Sequence, residues 1–155
     1  MSKARSEPPR IQNRKARHDF EIVDTLEAGI ALTGSEVKSL RAGQASLDGA
    51  YAHIRDGELY LVDANINPYE RAAEMFQHKP KRVRKLLAKR TEIKKLLTKV
   101  TQKGFTLVPL SMYFNERGLV KVSLALATGK THADKRQSLR ARDDQREMNR
   151  AMRRR

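Results

Sequence analysis

The strongest constraint on this chain of 155 residues is that its charges and its apolar side chains are sorted into separate stretches. Residues 1–18 carry a net +5, residues 19–78 carry −7, residues 79–103 carry +10, residues 104–128 carry +1 and residues 129–155 carry +6, which together make the formal +15. Both ends are basic and poor in apolar side chains, so a folded core has to come from the stretch between them. One domain with tails suits the length, since a usual domain takes about 100 to 200 residues. The sorting also speaks to partners. Clustered Lys and Arg are favoured by a polyanion, whose condensed counterions are released on binding, and nucleic acid is the leading candidate.

Other classes fall away on specific absences. No run of about 18 apolar residues occurs, and no apolar stretch follows the N-terminal basic residues, so neither a membrane-spanning helix nor a secretory signal is expected. Binding to a membrane surface would need a wide apolar face with aromatic anchors, and the chain has no Trp and only 5% aromatic residues. With no cysteine, disulfide scaffolds, thiolate zinc sites and Cys nucleophiles are excluded. His18, His53, His78 and His132 share no ligand spacing, so no metal and no cofactor is expected. Nothing in the sequence pairs Glu27, Glu36, Asp48, Asp56 or Asp63 for acid–base work, and no phosphate-cradling glycine motif is present. The chain is not expected to be an enzyme.

Along the chain, residues 1–17 contain Pro8 and Pro9 among scattered cations without apolar periodicity, the pattern of a flexible arm. From Phe20 an apolar run through Ile22, Val23, Leu26, Ile30 and Leu32 reads as a strand or bent strand pair. Thr33-Gly34-Ser35-Glu36 fits a capping box opening a short helix that ends before Gly43. Residues 45–47 read as extended, and residues 51–55 and 58–62 as a hairpin, because Asp56-Gly57 favours a two-residue turn with positive φ. Pro68 ends that region, and a loop or short helical turn follows. Between Pro80 and Val100, apolar residues recur at helical spacing among many Lys and Arg, which predicts one long helix stopped by Gly104. Eleven cations against Glu92 alone in residues 79–103 repel one another unless an external anion is present, so this helix is expected to meet RNA or a partner. Residues 105–114 and 119–127 read as a second hairpin, with Val120, Val122, Leu124 and Leu126 alternating with Lys121, Ser123, Ala125 and Ala127.

About six short strands without βαβ alternation predict a mainly β fold with flanking helices, a small antiparallel barrel or rolled sheet. An oligonucleotide-binding-type barrel fits, although pattern alone does not choose among barrels. After Gly129 the tail holds ten Lys and Arg but only Leu139, Met148 and Met152 as sizeable apolar residues, too few to dock on a core. It is expected to be disordered alone and to become a helix with one basic face on a folded RNA.

In order along the chain, Asn13-Arg14-Lys15-Ala16-Arg17-His18-Asp19-Phe20, Glu27-Ala28-Gly29-Ile30, Gly34-Ser35-Glu36-Val37-Lys38-Ser39-Leu40-Arg41-Ala42-Gly43, Arg84-Lys85-Leu86-Leu87, Leu107-Val108-Pro109-Leu110, Gly129-Lys130 and Asp134-Lys135-Arg136 resemble the SsrA-binding protein (small protein B) family. The resemblance also takes in Ala64-Asn65-Ile66, Pro68-Tyr69 and Lys103-Gly104, and covers nearly the whole chain from Asn13. It implies an oligonucleotide-binding-type β-barrel without catalytic activity. The barrel would hold the transfer-RNA-like domain of transfer-messenger RNA and bring it to the A site of a stalled ribosome, with the tail in the empty messenger channel. The division implied is a flexible basic arm over 1–17, a β-barrel RNA-binding domain over 18–129 and a basic tail over 130–155, disordered alone and helical on the ribosome, in a cytoplasmic monomer.

The positions the resemblance implies for RNA binding are His18, Glu27, Lys38, Arg41, Leu87, Lys121 and Gly129, and the basic stretch Asn13, Arg14, Lys15 and Arg17 and the tail's first cation Lys130 join them. Asp134, Lys135 and Arg136, with Lys130 and Arg140, are implied in ribosome engagement. Ala88 and Lys89 depart from the family's usual Leu and His or Asn, so at Lys89 a phosphate contact is expected in place of a base-edge or stacking contact. Thr131, His132 and Ala133 depart from it before Asp134, and His132 is carried over beside Lys89. The competing readings are a small basic structural ribosomal protein, which would stay on washed subunits, and an RNA-processing enzyme, which would show metal-dependent cleavage.

Overall fold

A computed structural model describes residues 7–129 and 145–152. The elements in chain order are β1 (Ile11–Gln12), α1 (Arg14–Asp19), β2 (Phe20–Ile30), α2 (Gly34–Arg41), β3 (Ala45–Ser46), β4 (Tyr51–Arg55), β5 (Glu58–Val62), β6 (Asn65–Ile66), a 3₁₀ turn (Glu74–Phe76), β7 (Arg84–Leu87), α3 (Arg90–Lys103), β8 (Thr106–Phe114) and β9 (Val120–Gly129). A further helix covers 145–152. The strands pair in the order β1-β8-β4-β5-β7-β2-β9, all antiparallel, and an additional β8–β9 pairing closes β8 through β9 into a ring, with β1 attached to β8. This is the small antiparallel barrel with flanking helices that the strand pattern predicts.

Its interior follows the period of two. Val122, Leu124 and Leu126 of β9 point inward with Ala28 of β2, Leu59 and Leu61 of β5, Leu86 of β7 and Met112 of β8. Asp56 and Gly57 have φ of 52° and 75°, the primed turn expected between β4 and β5. The capping box forms: the Glu36 carboxylate accepts from the backbone N–H of Thr33 at 3.0 Å. The run from Phe20 is one strand, bent where its register against β9 shifts between Ile22 and Asp24.

Two expectations change. The long helix from Pro80 is instead strand β7 followed by α3, which begins at Arg90. Along β7 burial alternates, with Arg84 and Leu86 in and Lys85 and Leu87 out. The period of two was hidden because one inward position carries an arginine, and Leu86-Leu87 alone suits either period. The arm expected over 1–17 also contains ordered structure. Ile11 pairs with Met112 to extend the sheet beyond β8, and α1 lies on the outside of the barrel with Ala16 buried against Val108, Leu110, Ala125 and Ala127. Small alanines on the outer face of β9 let that short helix approach the sheet.

The inward Arg84 is fully buried and meets the equally buried Glu36 of α2. Its guanidinium also donates to the carbonyls of Ala64 at 2.8 Å, Pro80 at 3.0 Å and Arg82 at 3.1 Å. Arg82 reaches the other Glu36 oxygen at 2.5 Å. Burial pushes the Glu36 carboxyl up, but hydrogen bonds from Arg82, the Thr33 backbone and Arg84 outweigh it and hold the group below its ordinary 4.5. Glu36→Ala, which strands a buried guanidinium, is expected to cost about 3–5 kcal/mol in urea unfolding. Because the folded carboxyl is held low, its stabilisation is complete above the ordinary value and lost as pH falls through the folded one. Unfolding of Glu36→Gln should lack that part of the acid dependence, and an unaltered profile would assign it to other carboxylates.

Candidate nucleic-acid interface

The outer faces of four neighbouring strands assemble the surface. Register places Tyr113 of β8 opposite Lys121 of β9, Lys121 opposite Gly29 of β2, and Gly29 opposite Leu87 of β7. The adjoining row runs from Ser111 through Ser123 to Glu27. Because side chains alternate along a strand, these residues share one face, so Glu27, Leu87 and Lys121, distant in sequence, become neighbours. Gly29 brings two of them close. A Cβ there would lie 3.3 Å from the Leu87 Cβ, so the missing side chain lets β7 seat Leu87 beside Lys121, with Leu87 52% exposed.

Tyr113 extends across β9, and its hydroxyl donates to the Glu27 Oε2. Burial and then the Glu27 carboxylate raise the phenol above its ordinary value, so it keeps its proton. The Arg10 guanidinium stands 4.3 Å over the Tyr113 ring and donates to the Ser111 hydroxyl at 3.1 Å. An open groove, lined by Arg10, Arg14, Arg17, Ser111 and Ser123 among others, runs from this cluster to α1. Cations over hydroxyls and an exposed aliphatic side chain suit a ribose-phosphate backbone with a base against it. Arg10 and Tyr113 were missed in the sequence: Arg10 falls in the stretch read as a flexible arm, and only the β8–β9–β2 register brings Tyr113 to Glu27.

The remaining candidates spread away from this cluster. Asn13 is buried; its side-chain amide donates to the Pro109 carbonyl at 2.9 Å and its backbone N–H to Leu110 at 2.8 Å, so it anchors α1 instead of facing solvent. Arg14, Lys15 and Arg17 are exposed on α1. His18 follows them, with Nδ1 2.9 Å from the Asp19 carboxylate. Gly129 pairs with Phe20 at the far end of the β2–β9 ladder, about 26 Å of strand from Lys121. Arg41 of α2 lies 5.7 Å from the Phe114 ring, beside the end of β8 that carries Tyr113. Lys38 faces elsewhere, 5.5 Å from the Tyr69 ring, in a second open groove with Arg71 and Phe76. Lys89 is exposed and precedes α3, its backbone N–H bonded to Glu92. Lys130, His132, Asp134, Lys135, Arg136 and Arg140 lie outside the described residues.

Among the described residues no group of three or more His, Cys, Asp or Glu is placed to hold a metal ion, and no helix is long and apolar enough to cross a membrane. A closed antiparallel barrel with a cation-rich outer face and a basic helix beside it belongs to the RNA-binding barrels of the oligonucleotide-binding type. The family profile described as "SmpB protein" matches residues 10–154. The chain is 54% identical over 154 residues to the SsrA-binding protein of Symbiobacterium thermophilum, covering 99% of this chain and 97% of the relative. It is 57% identical to that of Moorella thermoacetica, covering 92% of each. A chain in the solved structure "tmRNA-SmpB: a journey to the center of the bacterial ribosome" superposes with a TM-score of 0.68 at 52% identity, covering 85% of this chain and 95% of that one. The chain belongs to the SmpB, or SsrA-binding protein, family.

The close approach at Gly29 gives a direct test of how the surface is built. Gly29→Val should cost about 1–3 kcal/mol, because β7 and β2 must part to admit the new side chain. Leu87→Ala in the same chain should restore part of the loss in urea unfolding; fully additive costs would mean that this contact is not the source.

Proposed function

We propose that this chain is an RNA-binding adaptor of trans-translation, which holds the transfer-RNA-like domain of transfer-messenger RNA and delivers it to the A site of stalled ribosomes. The observation that carries the reading is identity to SsrA-binding proteins across essentially the whole length, basic tail included. The outer barrel face supports it physically. Lys121, Arg10 and the α1 cations neutralise phosphates, Leu87 lies against a base or ribose, and Glu27 accepts from an RNA donor. In this reading the barrel recognises folded RNA, and the tail with Lys130, Asp134, Lys135, Arg136 and Arg140 engages the ribosome in the vacant messenger channel. The adaptor acts in the cytoplasm and supplies no reaction of its own. Membership of this family leaves the structural ribosomal protein without support.

A gel shift with transfer-messenger RNA against excess transfer RNA competitor tests the reading, which requires a single complex that survives the competitor. Lys121→Ala should weaken that complex and reduce the slope of log affinity against log salt by about one unit, the signature of one lost phosphate contact. The same loss is expected for Arg41→Ala; an unchanged slope would place that side chain away from phosphate. Removing residues from Asp134 onward should leave RNA binding nearly intact while abolishing peptide tagging on stalled ribosomes. Equal loss of both activities would overturn the division of labour between barrel and tail.

A further inference from the structure

A carboxylate on a phosphate-binding face needs its own explanation, since it repels the backbone that its neighbours attract. Glu27 is exposed on that face, and among the described residues it has no ion pair. Arg10, the cation beside it, instead bonds the Ser111 hydroxyl and covers the Tyr113 ring. Among the described residues the one hydrogen bond that Glu27 makes comes from the Tyr113 hydroxyl, reached across an intervening strand, and it engages Oε2. The other oxygen makes no hydrogen bond among the described residues, and Ser123, the cross-strand partner of Glu27, lines the groove with Arg10, Arg14 and Arg17. A phosphate has no proton to give it at neutral pH. An RNA strand carries two kinds of donor, the ribose 2′-hydroxyl and the exocyclic amino groups of its bases.

We infer that Tyr113 is a positioning residue that fixes Glu27 as an acceptor for a hydrogen-bond donor of one bound ribonucleotide, while Arg10, stacked on the same ring, holds the adjoining phosphate. The inference rests on the RNA-adaptor reading and adds to it the means by which this face selects a nucleotide as well as a charge. A free glutamate would sample several rotamers and lose entropy on binding; the phenol holds one beforehand. The ring gives Arg10 a flat seat, so acceptor and cation stand in fixed relation to each other.

The test uses the full chain and a transcript of the transfer-RNA-like domain. Tyr113→Phe keeps the ring under Arg10 and removes only the hydroxyl. It should weaken binding roughly tenfold, the cost of ordering a rotamer-rich side chain that nothing holds beforehand, with unchanged salt slope. Glu27→Ala with Tyr113→Phe should lose no more than Glu27→Ala alone, because both remove the same contact. Two series of transcripts identify the donor, one carrying scattered 2′-deoxynucleotides and the other carrying bases without their exocyclic amino group. In one series a position that weakens the wild-type complex should have no effect on Glu27→Ala. Additive losses in the double variant, full affinity in Tyr113→Phe, or identical interference patterns for wild type and Glu27→Ala would each overturn the inference. A wild-type chain that ignores the transcript would overturn the adaptor reading itself.

Discussion

A buried ion pair fixes where the rest of this molecule can lie. Glu36 and Arg84 are both withdrawn from water, and charges in that setting persist only when geometry and further hydrogen bonds satisfy them. Arg84 meets that condition by collecting the carbonyls of Ala64, Pro80 and Arg82, and Glu36 by taking Arg82 and the Thr33 backbone as well. The consequence is geometric. One side chain fastens the start of α2, the end of the hairpin segment at Ala64, the loop entering β7, and β7 itself. With Arg84 facing inward, alternation sends Leu86 into the core and Leu87 out beside Gly29. With Glu36 fixed, α2 carries Arg41 to Phe114 and Lys38 to Tyr69. The candidate RNA-binding surface is therefore set by an interaction on the other side of the sheet.

The same pair explains which parts of the fold were legible in the sequence. Asp56-Gly57 and Thr33 with Glu36 encode their turn and cap within a few residues, and β9 announces itself through Val120, Val122, Leu124 and Leu126. Local rules suffice there. Strand β7 escaped because its inward residue is an arginine whose partner lies 48 positions earlier, and a hydrophobic pattern cannot register a charge that is neutralised by a distant acid. Helix α1 escaped for a related reason. Its own sequence carries three cations and one buried alanine, and what holds it is the small size of Ala125 and Ala127 on a strand far along the chain.

The candidate site divides along the same line. Glu27, Leu87 and Lys121 came from a resemblance in sequence, and only the register of β8, β9, β2 and β7 makes them one surface. Asn13 shows the opposite outcome: within a basic stretch it is the residue turned inward, bonded to β8 so that its neighbours can face out. Arg10 and Tyr113 belong to the surface through contacts that span about a hundred residues, beyond the reach of any local motif.

Small residues mark the places where charged or exposed groups are brought against the sheet. Gly29 admits Leu87, and Ala125 and Ala127 admit α1 with its exposed arginines, so the outer face of β9 is cationic at one end and covered by a basic helix farther along. The segment from 19 to 78, which supplies Glu27, is meanwhile net acidic. A barrel that was basic all round would hold any nucleic acid in any orientation, because phosphate attraction has no direction of its own. On the proposed reading, a carboxylate set among the cations of this face would restrict binding to RNA whose shape brings backbone to Arg10 and Lys121 and a donor to Glu27 at once. Charge sorting along the chain thus becomes orientation in space.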